Sequence, residues 1–194
     1  MTWDAGRVNK RFVRKYNAKE FFGFTKDKEA QYELIDGRIY MMAAPSVSHQ
    51  RISREISLLL GGYLRGKACE MLVAPTDVVL FKKEEKSNVR NVFQPDILVV
   101  RDPKKIGANR INGAPDFIIE IISPGTAERD YIDKARVYIK YGVREYWIVD
   151  PVKRTVLVHR REGKELDTAN YTFADRVGIS IFEDFGIDFK DLDL

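Results

Sequence analysis

Two acids in this chain stand where acids are costly. Glu120 sits at the centre of Ile118-Ile119-Glu120-Ile121-Ile122, and Asp96 follows Gln94-Pro95 and precedes Ile97-Leu98-Val99-Val100. A carboxylate inside an apolar strand loses hydration, so it must be paired, hydrogen-bonded or bound to a cation. Two such acids on neighbouring core strands can share a Mg²⁺, a hard ion usually held by one or two carboxylates plus waters. Buried, perturbed carboxylates gather at functional sites, and for Glu120 that reading outweighs a structural salt bridge. For Asp96 alone, a strand-start cap and a metal ligand both fit.

Other residues are less pointed. His49 falls near the first turn of the first long helix. There an imidazole can hydrogen-bond a phosphate or a metal-bound water, or simply be a satisfied surface histidine. Asp77 is a further acid in an apolar strand and could line the same cleft. Lys134 lies four residues after Asp130, which on spacing alone reads as a surface ion pair worth a few tenths of a kcal/mol. Trp147 reads as core, Asp116 as a strand start, and His159, beside Arg160 and Arg161, as part of an exposed hairpin.

The elements that must hold these residues can be read from pattern. Tyr32 to Met42 predicts a hairpin about Asp36-Gly37. Pro45 and Ser46 open a helix in which Ile52, Ile56, Leu59, Leu60 and Tyr63 recur at helical steps. Met71–Phe81, Val92–Val100 and Asp116–Ile122 read as strands, the last apolar on both faces apart from its acids. Thr126 can cap a helix from about Ala127 to Tyr141, with Gly142 closing it. Glu145–Val149 and Thr155–His159 read as paired strands, and Tyr171–Phe173 and Ile179–Phe182 as short edge strands. The alternation implies an α/β domain around a mixed sheet.

Composition sets the bounds. At 194 residues the chain is one domain, divided here into a basic leader (1–28) and a single folded unit (29–194). One cysteine, Cys69, excludes an internal disulfide or a cysteine-built zinc site, and two distant histidines exclude an HExxH protease. No apolar run is long enough to span a membrane, and a cytoplasmic protein is expected. Net charge is +4, with Arg7, Lys10, Arg11, Arg14, Lys15 and Lys19 concentrated in the leader. Such a balance permits nucleic acid without demanding it.

The ordered motifs carry a resemblance. Pro95-Asp96 followed by Glu120 on the next core strand resembles the PD-(D/E)XK nuclease superfamily. Tyr32–Gly37, Pro45-Ser46 with His49-Gln50, Gln94-Pro95-Asp96, Ala114-Pro115-Asp116, Glu120–Pro124, Asp133-Lys134 and Gly142–Pro151 follow in the order of one branch. That branch is a restriction-endonuclease family common in cyanobacteria, also known as a domain of unknown function. The resemblance implies a restriction-endonuclease-like core, a mixed sheet flanked by helices, that hydrolyses phosphodiester bonds with a metal ion. It implies Asp96, Glu120 and the main-chain carbonyl of Ile121 as metal ligands, Mg²⁺ or Mn²⁺ as cofactor, and DNA as the favoured substrate. Glu33 resembles the additional acid such nucleases bring toward the metal, though on pattern alone it is an exposed alternating position. The superfamily's lysine would fall at Ile122, and Lys134 matches the lysine this branch uses instead. Lys134→Met is then expected to leave folding nearly intact and to cripple cleavage. A homodimer is expected by analogy. The alternative is a catalytically degenerate nuclease fold that binds nucleic acid or a protein partner.

Overall fold

Asn17 starts the first helix by accepting a hydrogen bond from Glu20 N, while the Glu20 carboxylate reaches back to Asn17 N. This helix, α1 (Ala18–Thr25), lies within the stretch assigned to the leader and buries Phe21 against Leu34, Val79, Val89 and Val92. The computed structural model describes residues 14–123, 129–163 and 165–194. The leader cations Arg7, Lys10 and Arg11 and the Thr126 cap lie outside the described residues.

The hairpin forms as its sequence predicts. Strands β1 (Tyr32–Ile35) and β2 (Arg38–Met41) pair with Ile35 opposite Arg38. Asp36 and Gly37 take φ values of 47° and 83°, the left-handed pair a two-residue turn of this kind requires. Ser46 caps α2 (Val47–Leu64) by accepting from His49 N at 3.2 Å. The buried stripe of α2 is His49, Ile52, Ile56, Leu60 and Leu64, at helical steps of three and four.

Two expected strands are each two strands. Met71–Phe81 divides into β3 (Glu70–Val73) and β4 (Val78–Val79), which join different sheets. Val92–Val100 likewise divides into β5 (Val92–Phe93) and β6 (Ile97–Val100). Pro75 and Pro95 occupy the breaks, and a proline has no N–H to give a ladder.

After β7 (Ile111–Asn112) and β8 (Phe117–Ile121), residues Arg129–Lys134 form a π-helical turn that runs into α3 (Ala135–Tyr141). The first described turn of the expected helix is therefore wider than α-helical. Gly142 closes α3 at φ 96°. Then come β9 (Glu145–Asp150), β10 (Thr155–Glu162), β11 (Glu165–Thr172), β12 (Arg176–Gly178) and β13 (Gly186–Asp188). Ile179–Phe182 is not an edge strand but lies in the connection between β12 and β13, its Ile179 and Phe182 side chains turned into the core.

The main sheet has the order β11-β10-β9-β8-β6-β3, and the smaller one β2-β1-β5-β4-β7. Among the described residues of the main sheet only β8 and β9 are parallel, joined by the crossover that contains α3. Alternate residues of β8 serve opposite cores. Phe117, Ile119 and Ile121 pack with α2 and the C-terminal segment, whereas Ile118 and Ile122 pack with α3 and the smaller sheet. Glu120, between them in parity, faces α3.

Trp147 fills core as its strand pattern predicts, at 0% exposure. Its Nε1 donates at 2.6 Å to Glu145, a wholly buried acid that also accepts from Arg160 Nε at 3.3 Å and from Ser180 N and Oγ. Glu145→Ala strands these donors and should cost about 3 kcal/mol. That is roughly 6–12 °C in Tm for a chain of this size, readable by calorimetry. An unchanged Tm would mean that Glu145 holds nothing together.

Candidate active site

Register places the two costly acids side by side. Ile97 pairs with Ile119 across the antiparallel β6–β8 ladder, so Asp96 and Glu120 occupy the next cross-strand position. Such neighbours have Cβ atoms about 4.5–5.5 Å apart and share a face. Asp96 Oδ2 accepts from Ile121 N at 2.7 Å and pairs with His49 Nε2 at 3.1 Å. A carboxylate can only accept, so Nε2 donates. His49 reaches Asp96 from the start of α2 and is 7% exposed, which removes the reading of a surface histidine. Its Nδ1 has no hydrogen-bond partner among the described residues.

Lys134 arrives from α3's side. Its Nζ lies 3.0 Å from Glu120 Oε1, 3.0 Å from Glu33 Oε1 and 3.2 Å from Asp130 Oδ1. All four side chains are at most 5% exposed, so neither a surface Lys134 nor an exposed Glu33 survives. Glu120 Oε1 also accepts from the Tyr138 hydroxyl at 2.7 Å, and Glu33 Oε1 from Gln94 N at 3.1 Å. Gln94 in turn donates through Nε2 to Asp77 at 2.9 Å. Asp77 thus braces Gln94, which holds Glu33, and is not among the residues lining the cleft. Asp116 behaves as a strand start, its carboxylate accepting from Arg101 N at 2.9 Å. His159 is half-buried rather than exposed: it hydrogen-bonds Thr168 at 2.9 Å, and burial pulls its pKa down.

A cleft of about 740 Å³ opens on this cluster, lined by Glu33, His49, Asp96, Glu120, Ile121 and Lys134 among others. Burial is the main force raising the Glu120 pKa well above the usual carboxylate range, and the charges of Asp96, Glu33 and Asp130 add to it against Lys134. Burial alone would lower Lys134, but Glu120, Glu33 and Asp130 more than reverse it, so its ammonium is held well above the ordinary lysine value. Desolvation, then Glu120, likewise raises Tyr138, keeping its hydroxyl a donor.

The donor set suits a hard divalent cation. Five carboxylates line the cleft against one ammonium in contact with three of them, and every anionic donor is oxygen. No group of three or more His, Cys, Asp or Glu placed to hold a metal ion occurs among the described residues, so an ion here would need the Ile121 carbonyl and water to complete its shell.

Pattern reading did not place Asp130, Tyr138 or Gln94 among the site residues. For the first two a signal existed. Asp130, Lys134 and Tyr138 are four residues apart and fall on one helical face, so a buried Lys134 implies buried partners on either side. Gln94 acts largely through its backbone N–H, which no sequence pattern reveals.

A model of the Uma2 family, described as "Putative restriction endonuclease", matches residues 18–190. The chain belongs to the Uma2 family. This Uma2 protein is 27% identical over 177 residues to an uncharacterized protein of Synechocystis sp., covering 90% of each. It is similar in structure to a protein of Anabaena variabilis ATCC 29413 whose crystal structure is described as "a putative nuclease belonging to DUF820". There the TM-score is 0.72 at 22% identity, over 91% of this chain and 96% of that one. The mixed α/β, restriction-endonuclease-like fold expected from sequence is therefore the fold of this Uma2 protein. No helix among the described residues is long and apolar enough to cross a membrane.

Proposed function

We propose that this Uma2 protein is a metal-dependent endonuclease of the PD-(D/E)XK type that hydrolyses phosphodiester bonds, DNA foremost. The observation that carries the reading is Lys134 Nζ at 3.0 Å from Glu120, on the face where register places Asp96. The superfamily position for that lysine holds Ile122, which is packed in the core. An ammonium nonetheless reaches the acid, fourteen residues further along the chain.

Asp96, Glu120 and the Ile121 carbonyl would hold Mg²⁺ or Mn²⁺. When bound, such an ion supplies activation of water and neutralisation of charge on phosphate oxygens. His49 fixes Asp96, and Tyr138 fixes Glu120. Lys134, kept protonated by its three carboxylates, is a poor base at neutral pH. Its role is to orient the attacking water and to donate to charge growing on the phosphate. Two strands cut together call for two such sites, hence a homodimer.

Closed circular plasmid has no ends, so its conversion to nicked or linear form reports endonuclease action. Conversion with Mg²⁺ or Mn²⁺ and none with EDTA is expected. Ile122 favours a second reading, a degenerate module that binds without cutting, and binding without metal-stimulated nicking would establish it. The basic leader is proposed to assist binding: deleting Met1 to Lys15 should weaken binding and flatten its salt dependence, because fewer counterions are released. An unchanged salt slope would remove the leader from the interface.

A further inference from the structure

Three acids of the cleft surround its lysine, so holding a phosphate in place before the bond breaks calls for a further cation. Two arginines line the cleft, Arg54 and Arg129. Arg54 is committed: its Nη2 lies 2.7 Å from Glu55 and 3.3 Å from the Asp193 carbonyl. Arg129 is half-buried and has no ion pair among the described residues, although five carboxylates line the same cleft. Its guanidinium instead lies 4.9 Å from the centroid of the Tyr40 ring.

Both anchors of that guanidinium lead to the reactive lysine. Tyr40 stands directly opposite Glu33 in the β1–β2 ladder, and Glu33 touches Lys134. Arg129 immediately precedes Asp130, which touches Lys134 as well. We propose, building on the nuclease reading, that Arg129 is the phosphate-binding residue of the cleft, gripping non-bridging oxygens of the nucleic-acid backbone beside the bond to be cut. An arginine whose cation rests over an aromatic ring spends none of its N–H groups on a carboxylate there. That planar edge matches two phosphate oxygens at once, which a lysine cannot do. The contact with the Tyr40 ring holds the guanidinium at the cleft in advance, so less side-chain freedom is lost on binding.

The test is fluorescence anisotropy of a short labelled DNA duplex in EDTA, across a series of salt concentrations, with plasmid nicking in Mg²⁺ alongside. Arg129→Ala should weaken duplex binding about tenfold and lower the salt slope by about one. Arg129→Lys should restore the slope but not the affinity, since the charge returns without the fork. Tyr40→Leu should weaken binding by a smaller factor with the slope unchanged. Arg176→Ala, an exposed arginine on β12 that does not line the cleft, should match the parent. Parent-like affinity and slope in folded Arg129→Ala, with a parent that binds and nicks, would overturn this inference and leave the nuclease reading standing. A parent that neither binds nor nicks would overturn both.

Discussion

Lys134→Met should lower cleavage on the order of 10²-fold or more, the scale of losing one positioned donor to a transition state. It should also destabilise the fold, against the expectation that folding would be nearly untouched. Lys134 is 4% exposed, and its removal leaves Glu33, Glu120 and Asp130 facing one another without a counter-charge. Breaking a buried ion pair from one side costs about 3–5 kcal/mol. The loss should shrink in acid, where the carboxylates take up protons. Denaturant melts and single-turnover cleavage at saturating substrate separate the two effects. Lys140→Met, on an exposed position of α3 over the Tyr141 ring, should change neither. A Lys134→Met protein that cleaves like the parent would mean that another group orients the water.

Glu120→Gln should abolish measurable cleavage and, in metal-free buffer, change how stability depends on pH. The Glu120 pKa lies well above the ordinary 4.5, chiefly through burial and then through its acidic neighbours. An acid raised in this way binds its proton more tightly when folded. Its contribution to stability is complete below the unfolded value and is lost as pH climbs toward the folded value. The slope approaches about 1.4 kcal/mol per pH unit within that window. Lys134, also raised, follows the same rule at the alkaline end: its contribution is complete below the ordinary lysine value of 10.5 and is lost as pH rises beyond it. Between mildly acidic and neutral pH, then, the parent should lose stability relative to Glu120→Gln as pH rises. Melts of both proteins in EDTA over that range give the difference directly. A difference independent of pH would place the Glu120 pKa at its ordinary value.

What the sequence disclosed was the pattern of burial. A glutamate between four isoleucines and an aspartate before Ile97-Leu98-Val99-Val100 are conspicuous because an apolar strand has no use for a charge. Parity then puts both on one face. The Asp36-Gly37 turn was equally legible, since few residues accept positive φ. The breaks at Pro75 and Pro95 were present in the letters yet were passed over, because valine-rich runs on either side mask a change of sheet. Lys134 and Asp130 illustrate the harder limit. A four-residue acid–base spacing is the same on an exposed helix as on a buried one. Only the packing of α3 between the main sheet and the smaller sheet decides that this pair is buried. Arg129 and Tyr40, far apart in sequence, meet only through that same packing.

The most direct measurement is metal-dependent nicking of closed circular DNA by the parent and by Asp96→Ala, purified side by side and titrated with Mg²⁺ and Mn²⁺. Asp96 sits at the cleft with its side chain 14% exposed, so its truncation should remove the metal site while sparing the buried lysine cluster. The parent should nick in proportion to bound metal, and Asp96→Ala should remain folded and inert. Equal nicking by both proteins, or none by a clean and folded parent at any metal concentration, would contradict a metal-dependent nuclease site at Asp96, Glu120 and Lys134.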